Sequence, residues 1–527
     1  MIKLTEITRT AEEMAKEHRE VSVSEFFERN RHLLGYDNPT KALATVVKEL
    51  VDNSLDACES ARILPRIWVE VKQNTADKFN VMTKDNGPGI IDKQIPFTMG
   101  KLLYGSKFFK LAQSRGQQGI GASGAVLYAQ LTTGKPTTVI SSTGNGKTSY
   151  YELMIDVKKN EPQILNHKLI EDGKEWHGLK VEMEIEGRFI ENKQSVVEYV
   201  KQIAIANPYA EITFEGPNGK IEFPRGASVL PPMPKEIKPH PHGIELGILR
   251  RMLESTNSRT VLSFMTNDFS RVGRNSGEEI CKLAGIDPNI SPKRLTVEDS
   301  DKLFKAMHKV QLMRPPTDCL SPLGEDLLLK GLQKEIKAEF FAAVTRPPSV
   351  YRGNPFTIEC GIAYGGELPQ DQNGDLLRFA NRVPLLYQAG DCAITKSVTA
   401  TDWKRYGLQQ SGKALPTGPV VVMVHMASVW VPFVSESKQA VASYPDIIKE
   451  IKLGLQEVGR KLQYHISGKR KAEMQKKRRE IFERYIPEVA GALGKLTDTK
   501  PEPILIKLQD MIKKKGMKEI EGNEEKT

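Results

Sequence analysis

The sequence predicts an α+β protein of several domains: a helix-on-sheet sandwich, then a small helical block, then a second α/β block that ends in a long charged helix. Three observations carry this reading. Runs of alternating polarity recur between Ile67 and Glu186 around a long helical pattern, as an antiparallel sheet with helices on one face requires. Two proline runs, Leu230 to Pro234 and Lys238 to Gly243, form a stiff connector, after which strand patterning stops until about Val310. The chain of 527 residues is also too long for one core. The predicted boundaries are 1–228 for the first domain with an N-terminal arm, 229–308 for the helical block, 309–484 for the second α/β domain with its long helix, and 485–527 for a partly disordered tail.

Taken in order, Ser22 with Glu25 makes a capping-box start for a first helix, and Pro39 opens a long one. Ile67 to Val71 alternates as a strand, and so do Pro136 to Ser141, Ser149 to Asp156 and Leu179 to Glu186. His240 and His242 in the connector are spaced as ligands could be, yet they lack a third, so a solvated pair is expected. In the helical block, Phe269 to Gly277 puts arginines, glycines and serines ahead of the helix Glu278 to Ala284. A helix is expected from Leu323 to Phe341, strands at Phe356 to Gly366, Arg378 to Tyr387 and Pro419 to Pro432, and one charged helix from about Pro445 to Arg484. The basic stretch Lys469 to Arg479 lies either against nucleic acid or in solvent.

The long helix carries the first chemistry. In Lys48-Glu49-Leu50-Val51-Asp52-Asn53-Ser54-Leu55-Asp56-Ala57, at about 100° per residue, Glu49, Asn53 and Asp56 fall within roughly 60° of one another beside an apolar stripe. A carboxylate can take a proton from water, and an amide oxygen is a hard-cation ligand that adds no charge. A solvated acidic face is the other reading of this run alone. Downstream, Asp85-Asn86-Gly87-Pro88-Gly89 follows a strand; its glycines let backbone approach a flat ligand, and its carboxylate can accept from an exocyclic amine. Ser106 and Lys107 could hold phosphate or ribose. Arg115-Gly116-Gln117-Gln118-Gly119-Ile120-Gly121-Ala122-Ser123-Gly124 then feeds an apolar run, and bare amides at a helix N-terminus make an anion site.

The order of these three parts resembles the GHKL or Bergerat ATP-binding fold of gyrase-type topoisomerases, mismatch-repair ATPases, heat-shock chaperones and sensor kinases. The resemblance implies ATP and Mg²⁺ as ligands. It implies that Glu49 polarises the attacking water, Asn53 holds Mg²⁺, and Asp85, with Gly87 and Gly89, reads adenine. Ser106, Lys107 and the lid Gly116, Gln117, Gln118, Gly119, Ile120, Gly121, Ala122 and Ser123 would close over the phosphates.

The second α/β block narrows the family. Glu359 to Gly366, Arg378 to Tyr387 and Trp403-Lys404-Arg405-Tyr406 resemble the transducer domain of type IIB topoisomerase B subunits, the archaeal topoisomerase VI family, and the likeness runs from about Val21 to Ile486. It implies a helix-two-turns-helix-like insert, an ATP-hydrolysing subunit that pairs with a second copy on binding ATP, and Lys404 as the group that senses the γ-phosphate. It also implies a separate A subunit, in an A2B2 heterotetramer, that holds the DNA-cleaving tyrosine and passes one double-stranded DNA through another. Where relatives often place Thr after Gly178, this chain has Leu179.

Composition agrees with such a protein. A formal net charge of +10 and a pI near 9.0 suit a nucleic-acid partner. Five cysteines without CxxC pairing indicate neither a disulfide framework nor a zinc site. No apolar run approaches membrane-spanning length and the start lacks a signal-peptide core, so no membrane is expected and the cytoplasm is. The rival readings are a GHKL ATPase of another branch and a DNA-clamping scaffold that no longer hydrolyses. A sensor kinase would need a phospho-acceptor histidine, and neither His18 nor His32 sits in a convincing dimerisation helix.

Overall fold

The computed structural model describes residues 11–18, 20–106, 110–116, 119–171, 176–435 and 438–511. They form two compact units, one of residues up to Asp402 with Gln409–Val458, the other of Trp403–Leu408 with the chain from Gly459 on.

In the first unit the helix Pro39–Ser60 starts as its sequence dictates: Pro39 occupies the first turn and the Asn38 side chain accepts from Lys41 N at 2.9 Å. Its Leu43, Val46, Val47, Leu50 and Leu55 are buried, with the helices Gly121–Thr133 and Val196–Ala206, against one face of an eight-stranded sheet. The strands are β1 Arg66–Gln73, β2 Lys78–Asp85, β3 Thr137–Thr143, β4 Lys147–Asp156, β5 Glu161–Glu171, β6 His177–Glu186, β7 Glu211–Gly216 and β8 Gly219–Phe223. Their order is β5-β4-β3-β6-β2-β1-β7-β8, antiparallel throughout except for the parallel pair β1 and β7. β1 and β2 read as predicted because their burial alternates; β5 and β8, which bury little of either face, do not stand out in the sequence.

The connector leads to four helices, Leu246–Ser255, Val261–Asp268, Arg274–Ala284 and Val297–Lys309, closed on their own core of Leu249, Phe264, Met265, Ile280, Leu303 and Met307. The two connector histidines are structural. His240 is buried, its Nδ1 accepts from His242 N at 3.2 Å, and its Nε2 reaches Met313 O at 3.1 Å. His242 Nε2 reaches Met307 O at 3.1 Å, so neither ring is the solvated group expected.

The second sheet contains β9 Phe340–Thr345, β10 Ser349–Tyr351, β11 Asn354–Tyr364, β12 Asp375–Ala380, β13 Val383–Pro384 and β14 Val420–Ser428, in the order β10-β11-β14-β12-β13 with β9 also on β11. Here the prediction of a helix from Leu323 to Phe341 is corrected. The helix is Gly324–Glu335, and the apolar run after it is β9, whose pairing with β11 outweighs its weak local signal. At the heart of this sheet Glu359 and His425 are fully buried, 2.7 Å apart. Glu359 also accepts from Leu323 N, Gly324 N and the Thr345 hydroxyl. His425 Nε2 accepts from Arg382 N at 2.9 Å, which fixes the ring proton on Nδ1. Burial pushes the Glu359 carboxyl up, but His425 and these donors outweigh it and hold it below its ordinary value.

In the second unit Trp403 is fully buried and meets Tyr406 edge-on at 6.1 Å between ring centroids. The charged helix runs Pro445–Thr497, past the predicted end at Arg484 and through Pro487, because Ile486 and Ala490, one turn apart, are both buried. A further helix covers 501–511. No described helix is long and apolar enough to cross a membrane.

Removing the Glu359 carboxylate strands four donors in a dry core. Glu359→Ala is expected to cost about 3–5 kcal/mol, read as a lowered calorimetric transition; a shift within error of wild type contradicts the account of this network.

Candidate functional site

A cavity of about 360 Å³ opens beside the helix Pro39–Ser60. Glu49, Asn53, Asp56, Asp85, Gly89, Ser106, Gly116, Gly119, Ile120, Gly121, Ala122 and Ser123 all line it. The predicted site residues therefore converge, with three qualifications. Gly87 stands behind the wall and acts through Asp85. Lys107, Gln117 and Gln118 lie outside the described residues. Lys404 is exposed in the short turn Trp403–Tyr406 of the second unit.

At one end Asp85, 2% exposed, is set as an acceptor. Its Oδ2 accepts from Ser54 Oγ at 2.7 Å, and its Oδ1 accepts from Gly87 N at 2.9 Å and Leu179 N at 3.1 Å. Burial raises its pKa against the pull of those three donors. Leu179 thus contributes its backbone N–H to the Asp85 carboxylate. Ser141 is engaged with the Asp85 turn, accepting from Ile90 N at 2.7 Å. Gly89 has a φ of +71°, and a Cβ there would stand 2.1 Å from Ser142 O, so only glycine fits.

At the other end the Glu49 carboxylate sits over the N-terminus of the helix Gly121–Thr133. A Cβ on Gly121 would meet Glu49 Oε2 at 2.1 Å, so the bare backbone at 121 is what admits the carboxylate. Lys48 Nζ is 3.2 Å from Glu49 Oε1. Burial pushes Glu49 up, but the Lys48 and Lys438 ammonium groups prevail and keep it below its ordinary value, ionised at neutral pH. Asn53 directs its amide oxygen toward Gly116 and makes no hydrogen bond with another described residue. Ser123 is less available than expected, since its hydroxyl donates to Ile120 O at 3.1 Å within the helix's first turn.

Asp52 and Asp56 are buried, which excludes the solvated acidic face. Asp56 is committed to the lid root: its Oδ1 is 2.8 Å from Arg115 Nη1. Asp52 accepts from the Tyr199 hydroxyl at 3.1 Å.

Several wall residues are not foreseen by the sequence. Pro384, Leu386, Tyr387, Lys438 and Gln439 reach the cavity from the second α/β domain. Lys438 has a left-handed φ of +53°, its Nζ donates to Arg115 O at 3.4 Å, and burial lowers its pKa while Glu49 raises it. Nothing periodic marks it in the sequence; its role exists only through the packing of two domains.

Burial raises the Asp52 pKa from 3.8 to about 6. An acid whose folded pKa is raised loses stability as pH rises through that interval, by about 3 kcal/mol at full extent. Asp52→Asn is expected to stabilise the chain by an amount that grows between about pH 4 and 6 and then levels off. A gain independent of pH in thermal melts contradicts the assignment.

Comparison with known proteins agrees with this geometry. Residues 41–182 match the model of histidine kinase-, DNA gyrase B- and HSP90-like ATPases, and residues 315–478 match that of the topoisomerase VI B subunit transducer. The B subunit of type 2 DNA topoisomerase 6 from Methanococcoides burtonii is 49% identical over 492 residues, covering 93% of this chain and 78% of that one. The corresponding protein of Archaeoglobus fulgidus is 48% identical over 495 residues, 93% and 81% of the two chains. That of Pyrococcus furiosus is 38% identical over 569 residues, 98% and 99% of the two chains. An ATPase module followed by this transducer, at such identity over nearly the whole length, means that the chain belongs to the family of type 2 DNA topoisomerase 6 B subunits.

Proposed function

We propose that the chain binds and hydrolyses ATP in the cavity between Asp85 and Glu49, and that nucleotide turnover drives the passage of one DNA duplex through another. The observation that carries this reading is the opposed pair of carboxylates, one desolvated and ringed by donors, the other held ionised at a helix N-terminus. Adenine places its exocyclic amine on Asp85. The phosphates lie at the lid and the N-terminus of the helix Gly121–Thr133, where backbone N–H groups favour anions. Ser106, which lines the cavity from the preceding loop, adds a hydroxyl contact to phosphate or ribose.

Glu49 accepts a proton from the attacking water and so raises its nucleophilicity toward the γ-phosphorus. A Mg²⁺ ion is compatible with the residues present: Asn53 offers a neutral amide oxygen, and no cluster of three metal-binding side chains stands among the described residues. Such an ion would take its remaining ligands from phosphate and water, neutralising charge on the γ-phosphate. The γ-phosphate sensor expected at Lys404 is better placed at Lys438. Within the first unit it is Lys438 whose ammonium stands among Glu49, Asp52 and Asp56, and it belongs to the transducer.

ATP binding orders the lid and pairs two copies, and loss of the γ-phosphate releases Lys438 and lets the transducer move. The family implies an A subunit carrying the cleaving tyrosine, in an A2B2 assembly on double-stranded DNA in the cytoplasm. The exposed basic turn with Arg271 and Arg274 in the helical block is a further DNA contact within this proposal.

Glu49→Ala is expected to lower ATP turnover by about 10²–10⁴-fold while a non-hydrolysable ATP analogue still pairs two copies in light scattering; near-wild-type turnover removes Glu49 as the base. Lys438→Ala should lower kcat at least tenfold and Lys404→Ala by less than threefold, about 1.4 and 0.6 kcal/mol respectively. The reverse order in steady-state assays returns the sensor role to Lys404.

A further inference from the structure

A chain of buried charges joins the transducer to the root of the lid. Its outer member is Arg382, in the two-residue turn between β12 and β13. Both turn residues are left-handed, Asn381 at φ +47° and Arg382 at +66°, a conformation that costs an L-residue energy unless its side chains are held. They are held. Asn381 Nδ2 donates to Ser428 O at 2.9 Å and to Ser114 O, at the start of the lid, at 3.0 Å. Arg382 N is fixed on His425, and Arg382 Nη2 pairs with Glu59 Oε2 at 2.9 Å.

Glu59 closes the helix that carries Glu49 and Asn53. Its other oxygen accepts from Arg115 Nη2 at 2.6 Å and from the Tyr209 hydroxyl at 2.7 Å. Arg115 has a side chain with no exposure and is anchored again on Asp56. It directly precedes Gly116, the first lid glycine, and its carbonyl accepts from Lys438. Two guanidinium groups and two carboxylates therefore balance in a largely buried site. One carboxylate, Glu59, is shared between a cation of the transducer and a cation of the lid root.

We propose that Arg382 is a positioning residue that, through Glu59, holds Arg115 and thereby the lid root in register with the transducer. The inference rests on reading the cavity as the ATP site, and it adds a second tie beside Lys438. The balance gives it direction. With Arg382 in place the cluster is neutral. When transducer movement withdraws Arg382, Glu59 loses one of the two guanidinium groups that fix its carboxylate, which at 14% exposure can then turn to water and release Arg115, while the net negative charge left behind disfavours an anionic ligand next to it. Lid order and transducer position are then two readings of one equilibrium.

Limited trypsin digestion of the full chain with mass-spectrometric identification of cuts tests this directly, because the lid root carries its own reporters. Lys110 is exposed and Arg115 is 4% exposed, so the ratio of cleavage at Arg115–Gly116 to cleavage after Lys110 reads the anchor against general loosening. Arg382→Ala is expected to raise that ratio at least tenfold, and Arg382→Lys, which keeps the charge, should recover most of the protection. With A subunit and supercoiled DNA, Arg382→Ala should also consume at least threefold more ATP per duplex passed. If Arg382→Ala does not fold, Glu59→Gln, which keeps an oxygen for Arg115 but not the charge, is expected to raise the ratio likewise. An unchanged ratio in the variant that folds overturns the proposal. The cleavage ratio is independent of hydrolysis, so an inactive cavity and a missing tie are told apart.

Discussion

A carboxylate pressed against a helix N-terminus is the contact on which the rest depends. Glu49 can lie over residue 121 only because that residue is glycine, and it remains ionised there because Lys48 and Lys438 offset its desolvation. The geometry fixes three things at once. It places an ionised carboxylate at one end of the cavity and sets the start of the helix Gly121–Thr133 against the helix Pro39–Ser60. It also calls for a cation from another domain. A side chain at 121 or the loss of either lysine disturbs all three.

The helix Pro39–Ser60 distributes its polar groups by function along its length. Glu49 and Asn53 face the cavity, Ser54 supports Asp85, and Asp56 and Glu59 hold the lid root. Every one of these groups is offset by a partner of opposite sign or a fixed donor, except Asn53, whose amide can be left facing ligand at modest cost because it carries no charge. The same logic explains why the transducer contacts this domain through charged side chains on a tight turn. A buried ion pair is expensive to break halfway, so two domains joined by one hold a defined relation until the whole contact changes.

Much of the site is legible in the sequence because it is local. Glu49 and Asn53 share a helix face, Asp85 ends a strand with two glycines behind it, and the lid precedes an apolar helix. The misses are tertiary. Arg382 and Glu59 are 323 residues apart, as are Lys438 and Arg115, and no periodicity announces either pair. Lys404 is singled out only by the resemblance of Trp403-Lys404-Arg405-Tyr406 to a known family, whereas Lys438 sits in a loop with no pattern of its own. β9 reads as the end of a helix since a short apolar run has no period, and the helix expected to end at about Arg484 is carried through Pro487 by the burial of Ile486 and Ala490.

The central claim is that this cavity powers work on DNA through a partner. ATP turnover by the purified chain, measured alone and then with an A subunit and supercoiled DNA, addresses it most directly. Hydrolysis that rises on adding both, together with strand passage, is the predicted result. Hydrolysis indifferent to partner and DNA, or none under any condition, contradicts it.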